Sequence, residues 1–407
     1  MPDLRKKILY TIFMLLIYRM LCFIPAPGVD HAVIKTAMEN YSLLGYINSI
    51  TGSNMGNYSI MAMGITPYIN ASIIMQLLTV AIPKLEEMNK EEEGRKKIAQ
   101  ITRYVTVALG FLQAVALTTG LQAASGFLNV LTIGFCLATG TCLAMWLGER
   151  ITEKGIGNGI SLLIFAGIIS RFAGSVVTAI SDMFKSGFGT SGITYVVVFT
   201  VSVLMIVAVV FINLGERRVP VQYAKRMVGR KMYGGQSTHI PLKVDASGVL
   251  PLIFASAIMQ FPPTILAFFQ NSNGAYQWWE QNVAYGSWPY QTIFALMIFG
   301  FTFFYSTISF NPVEISKNIQ QNGGMIPGIR QGRPTSDFLA KTVRRITLFG
   351  AIYLALLATI PTIFYHLVGA SLPFAASSLL IAVSVSLETT RQLESHMTMR
   401  NYKGFLK

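Results

Sequence analysis

The sequence predicts an all-α membrane protein with ten transmembrane helices, and three observations carry that reading. Of 407 residues, 52% are hydrophobic and only 12% are charged, about half the charged share of an ordinary soluble domain. Ten separate stretches are apolar over the ~20 residues that a helix needs to cross a bilayer core. The basic residues fall on alternate connections between those stretches. Helix is the spanning element, because hydrocarbon satisfies no backbone N–H or C=O group. The same composition excludes a disordered chain, which would be polar and highly charged.

The predicted spans are Ile8–Ile24, Tyr58–Ile82, Tyr104–Leu121, Leu128–Leu147, Ile156–Ile180, Ile193–Leu214, Gly248–Phe269, Tyr290–Phe310, Ile346–Val368 and Leu372–Leu387. The first has a basic start and an apolar run like a signal peptide, but it has no small-x-small cleavage site and reads as a retained span. Residues 104–148 hold no Asp, Glu, Lys, Arg or His and are too long for one helix; Gly120 and Gly126 mark the turn. Residues 346–387 divide near Gly369–Pro373.

If the N-terminus faces the cytoplasm, the inner segments carry 28 of the 32 Lys and Arg. The outer loops carry only Lys35 and Lys185, and Arg19 and Arg171 lie near span ends where they can snorkel. This is the positive-inside signature, and it places both termini inside. It also accounts for the net charge of +14, which in a soluble chain would raise nucleic-acid binding. Tyr276, Trp278, Trp279, Tyr285, Trp288 and Tyr290 cluster at an outer loop, where an interfacial belt is expected.

Catalytic and metal chemistry find no support. There is no GxxxxGK[ST], HExxH or GxSxG, and His31, His239, His366 and His396 show no metal-ligand spacing. Cys22, Cys136 and Cys142 are an odd, scattered set in apolar stretches, which fits packing and no disulfide framework. No cofactor is expected. In KGIGNGIS a membrane helix precedes the alternating glycines, so the stretch reads as a tight turn into the fifth span with Asn158 capping or packing there. Charge inside spans, the usual mark of an ion or proton pathway, is nearly absent. The polar span residues are amides and hydroxyls such as Asn70, Gln76, Gln113 and Gln260, which suit hydrogen bonds between helices.

Three features stand out. Two inner loops, 215–247 and 311–345, are long and basic, and the first has strand-like residues that suit a projecting hairpin. Such loops suit a docking platform for an acidic protein face or RNA phosphates, beside the plainer role of topology determinants. The outer stretch Tyr41–Asn57 is partly apolar but too short to cross the bilayer; it is either a surface loop or a re-entrant piece beside a cavity. Pro67, Pro251, Pro262 and Pro263 promise helix kinks. Ile65 and Ile69, four apart, share a helix face and suit either packing or a narrow aliphatic seal. A secondary transporter, the rival class, would need a polar midplane site; the long basic loops and the scarcity of intramembrane charge argue against it.

The stretches RMLCFIPAPGVD, MGITPYINASIIMQLLT, EEGRKKIAQITRY, MWLGERITEKGIGNGISLLIFAGI, YAKRMVGRKMYGGQSTHIPLKVDASGVLP, FNPVEISKNIQQNGGMIPGIRQGRPT and MRNYKGFLK resemble, in order over nearly the whole chain, the SecY family of protein-conducting channels. The resemblance implies two pseudo-symmetric five-helix halves, 1–180 and 181–407, with Tyr41–Asn57 (Tyr41, Leu43, Leu44, Ile47, Ile50, Asn54) as a plug. It implies a constriction of Ile65, Ile69, Ile164, Ile253 and Ile381. A lateral gate would open between the second and third spans and the seventh and eighth. Arg217, Arg218, Lys225, Arg226, Arg230, Lys231, Arg330 and Arg333 would dock the ribosome and the motor ATPase SecA. SecE and SecG would complete a heterotrimer in the cell membrane, and its substrates would be unfolded preproteins, signal sequences and membrane segments released to lipid.

Overall fold

The computed structural model describes residues 2–29, 58–120, 126–186, 190–223, 226–228, 231–233, 237–244, 248–267, 274–283, 287–368 and 376–404. Its helices are α1 (Pro2–Leu21), α2 (Thr66–Ala81), α3 (Pro83–Lys90), α4 (Glu92–Gly120), α5 (Phe127–Lys154), α6 (Gly159–Ser186), α7 (Thr190–Leu214), α8 (Leu250–Ala267), α9 (Ala275–Asn282), α10 (Trp288–Ser309), α11 (Pro312–Gln321), α12 (Arg333–Val368) and α13 (Ala376–Gly404). Five strands join them: β1 (Glu216–Tyr223), β2 (Arg226–Val228), β3 (Lys231–Tyr233), β4 (Ser237–Lys243) and β5 (Gly324–Met325). Each of the ten apolar stretches contains a helix. Among the described residues, five helices are long and apolar enough to cross a membrane, and α2 with α3, bent by 104°, would make a sixth.

The chain divides into two compact units. The first holds Met1–Phe199, Ser256–Gln291 and Pro361–Lys407; the second holds Thr200–Ala255 and Thr292–Ile360. In the first unit, α2 with the turns before it runs antiparallel to α4: Tyr58 bonds Thr118 and Pro67 lies at Gly110, while Met88 of α3 lies at Gly94. In turn α4 runs antiparallel to α5, from Gly110 at Thr141 to the Arg103–Glu149 pair. Glycines let these backbones close up: a Cβ on Gly140 would meet the Ile60 carbonyl at 1.9 Å. Buried threonines here satisfy themselves. The hydroxyls of Thr79, Thr102, Thr106, Thr118 and Thr141 donate to the carbonyl four residues back in their own helices, so polar side chains sit in an apolar wall without an orphaned donor.

The second span departs from expectation. Tyr58–Ile65 is not helix but a chain of tight turns, buried throughout save for half-buried Ile60. It is tied down by Ala26 N–H to the Tyr58 carbonyl and Ile60 N–H to the Ile24 carbonyl, both 2.9 Å. Helix α2 starts at Thr66 with Ile65 as its N-cap. Pro67 therefore sits in the first turn, where no helical hydrogen bond is lost, and starts the helix instead of kinking it. Pro251 does the same as second residue of α8, while Pro262 and Pro263 do lie inside that helix. The aromatic belt is split as well: Trp278 and Trp288 are exposed, but Tyr290 is buried.

The KGIGNGIS turn matches its reading. Asn158 Oδ1 accepts from the N–H groups of Ile160 (3.1 Å) and Ser161 (3.3 Å) and caps α6. Gly157 adopts φ +81, which favours glycine.

Candidate functional site

The two basic loops fold into one body in the second unit. β1 pairs antiparallel with β4 from Glu216↔Lys243 to Gln222↔Ser237, so the expected hairpin is present. On its other side β1 pairs with β5, through Gln222↔Met325 and Tyr223↔Gly324, giving the order β4-β1-β5. Alternation along β1 turns Val219 and Val221 inward. They join Leu242, Ile319, Ile326 and Leu339 in a core of their own. Gly324 admits no side chain, because a Cβ would lie 2.9 Å from the Tyr223 ring and 3.0 Å from Ile319 Cγ2.

That core presents the basic residues. Arg217, Arg218, Arg330 and Arg333 are all exposed. The loop carrying Arg330 is held from within: Ile329 N–H donates to the Ile326 carbonyl (3.0 Å), and Thr335 Oγ1 to the carbonyl of Arg330 itself (2.8 Å). Gln331 Nε2 donates to the Gly324 carbonyl (2.9 Å), and Ser316 Oγ to that of Gly332 (2.8 Å). Gly328 and Gly332 take φ +82 and +87. The Arg330 backbone is fixed while its guanidinium faces outward. Arg218 is paired with Glu216 at 2.7 Å. Arg226 and Lys231 lie on the small β2–β3 ribbon, in the register Arg226↔Tyr233 and Val228↔Lys231. Lys225 and Arg230 lie outside the described residues.

Of the five candidate constriction residues, Ile65, Ile69, Ile164 and Ile381 belong to the first unit and Ile253 to the second. Ile65 and Ile69 are joined by the first hydrogen bond of α2, at 3.1 Å. Depth in the first unit follows from helix contacts. A Cβ on Gly148 would lie 3.0 Å from Ile160, and one on Gly110 would lie 3.6 Å from Pro67 and 3.8 Å from Thr141. At about 1.5 Å rise per residue, Ile164 lies about 6 Å from the Gly148 level and Ile69 about 7.5 Å, on the same side. A Cβ on Gly157 would lie 3.4 Å from Thr389 of α13. From that contact Ile164 is two residues of turn and then about 7.5 Å along α6, and Ile381 is about 12 Å back along α13. Ile69 and Ile164 thus share a depth to within about one residue's rise, and Ile381 lies near the same level. Ile253 is half-buried beside Phe254, which stacks on Phe301 at 5.5 Å. The candidate plug residues Tyr41, Leu43, Leu44, Ile47, Ile50 and Asn54 lie outside the described residues.

Sequence reasoning missed two things. One is β5, two residues whose only local signal is the Gly323-Gly324 pair before an apolar Met-Ile. The other is Thr11 of α1, whose Oγ1 accepts from Ile156 N–H at 3.1 Å across the helix bundle; nothing near Thr11 in the sequence announces it.

Comparison with known proteins bears on both regions. The SecY family profile matches residues 59–390. A Streptomyces galbus protein named protein translocase subunit SecY is 44% identical over 430 residues, covering 100% of this chain and 98% of its own. A Halalkalibacterium halodurans protein of the same name is 41% identical over 423 residues, covering 100% and 97%. A solved protein-conducting channel superposes with a TM-score of 0.67 at 19% identity, over 97% of this chain and 92% of that one. Sec61 in the canine ribosome-channel complex gives 0.62 at 18%, with the same coverage. At these identities the structural likeness speaks for the fold.

Proposed function

The chain belongs to the SecY family, and on that premise we propose that it is the central protein-conducting channel of a Sec translocase. Unfolded secretory chains pass through it, and signal sequences and apolar segments leave sideways into lipid. Ten spans in two five-helix halves, 1–180 and 181–407, with both termini cytoplasmic in the cell membrane, suit the ten helices and the charge asymmetry. Residues 41–57 act as the plug.

The observation that carries the mechanism is the common depth of Ile69, Ile164 and Ile381. With Ile65 they make an aliphatic constriction that offers no hydrogen bond to a passing chain; Ile253 is assigned to it by the family resemblance alone. Water and ions pay a desolvation penalty there, while a polypeptide of any sequence is held only weakly. An apolar segment prefers the lipid side by about 0.8 kcal/mol per buried CH₂. Nothing in this cycle requires the chain to hydrolyse a bond; the driving force comes from translation or from a motor. The folded basic platform supports docking of the ribosome and SecA through Arg217, Arg218, Lys225, Arg226, Arg230, Lys231, Arg330 and Arg333, and SecE and SecG complete the complex.

The test is a site-specific crosslink. Cys22, Cys136 and Cys142 are replaced by Ser; at Cys22 the hydroxyl keeps the bond that the thiol makes to the Tyr18 carbonyl. A cysteine then replaces Ile69, and a stalled secretory chain with a single cysteine is offered. A disulfide that depends on a working signal sequence is expected. Silence at this and neighbouring positions with export intact would move the polypeptide path elsewhere.

A further inference from the structure

The Gly155–Gly159 turn is built more tightly than a connection between two spans requires. Thr11 Oγ1 of α1, itself buried, accepts from Ile156 N–H (3.1 Å) and donates to the Lys7 carbonyl (2.9 Å). A Cβ on Gly155 would meet that hydroxyl at 2.5 Å. Thr152 Oγ1 of α5 accepts from Gly159 N–H (2.9 Å) and donates to the Gly148 carbonyl (3.0 Å). A Cβ on Gly159 would lie 2.0 Å from the same Gly148 carbonyl oxygen. Gly157 faces Thr389 of α13. One turn of chain thus gathers contacts from α1, α5 and α13 at the start of α6, five residues before Ile164.

We propose that this turn, held by Thr11 and Thr152, is a positioning device that sets the depth of Ile164 against Ile69 and Ile381, so that Thr11 governs how tightly the resting channel seals. The inference rests on the reading of those isoleucines as the seal. The physical reason is rigidity. A helix transmits a shift at its first turn along its axis, and a ring of side chains seals only while its members stay level. The hydroxyl is a fixed acceptor for an N–H that lies at the turn, where no helical carbonyl can reach it. Removing it frees α6 to slide or tilt against α13 while every seal side chain is left in place.

The test compares Thr11→Val with Thr11→Ser in the complete translocase reconstituted into liposomes, with Thr152→Val as a second variant and Ile164→Gly as the reference. Resting ion leak and export of a substrate lacking its signal sequence are both measured. Thr11→Val is expected to raise the leak about tenfold and to permit signal-less export, Thr152→Val to do so to a lesser degree, and Thr11→Ser to remain within about twofold of the parent. An unchanged leak in both valine variants beside a leaking Ile164→Gly overturns the positioning role. So does lost thermal stability without added leak. If Ile164→Gly itself does not leak, the seal reading fails, and the inference with it.

Discussion

The helices around Ile69 and Ile164 and the platform around Arg330 solve opposite problems. In the first region backbones meet at Gly140, Gly148 and Gly159, and buried threonine hydroxyls donate to their own helices. The second gathers charge on its outside and needs a separate core of Val219, Val221, Ile326 and Leu339 to hold that charge still. On the proposed reading, shape carries the one and charge on a rigid support carries the other. Faults in the two should therefore be separable.

The largest separation is expected from Gly140→Ala. Its Cβ would sit 1.9 Å from the Ile60 carbonyl oxygen, and Ile60 N–H is already bonded to Ile24, so the buried turn has nowhere to move. A loss of about 3 kcal/mol is expected, read as a lower melting temperature in detergent; an unchanged melt would break the contrast at its root. Next is Leu339→Ala, which empties a fully buried position of the platform core. About 2–4 kcal/mol of local stability should go, seen as protease cleavage within 311–345 while the resting ion leak stays at the parental level. A leak would mean that the two regions are coupled.

Arg330→Glu sharpens the comparison from the other side. Motor-driven export should fall about tenfold, with insertion during translation less affected and stability within about 0.5 kcal/mol, as for an exposed side chain. Equal loss in both assays would reject Arg330 as a motor contact. Tyr58→Phe removes the 3.0 Å bond to Thr118, but Thr118 still donates to the Ala114 carbonyl, so about 1 kcal/mol should be lost. The smallest effect belongs to Arg218→Gln. Its exposed pair with Glu216 is worth about 0.5 kcal/mol, and that share should vanish in high salt.

What the sequence made legible follows the same division. The apolar helices were readable because bilayer thickness forces long apolar runs, and each run holds a helix. The hairpin was readable from VPVQYAKR and THIPLKV, and the Asn158 cap from its place between glycines. The turns of Tyr58–Ile65 were not, since a buried irregular segment has the same apolar composition as a helix, and it is held by distant partners such as Ile24, Thr118 and Gly140. Pro67 was misjudged because proline kinks an interior turn but suits a first one, and the helix start was hidden. Thr11 and β5 were invisible because each matters through a partner far away in the chain.

The pairing of Gln222 with Met325 has a consequence for how the molecule is made. A strand pair whose partners lie so far apart in the chain cannot close until the later one has left the ribosome, and such long-range closures are the slow ones. Between the two lie the helices α8 and α10. The proposed docking face is thus absent from a half-synthesised chain and appears only after those helices have been made. The strand that completes the sheet, β5, is thus the last of its members to be made.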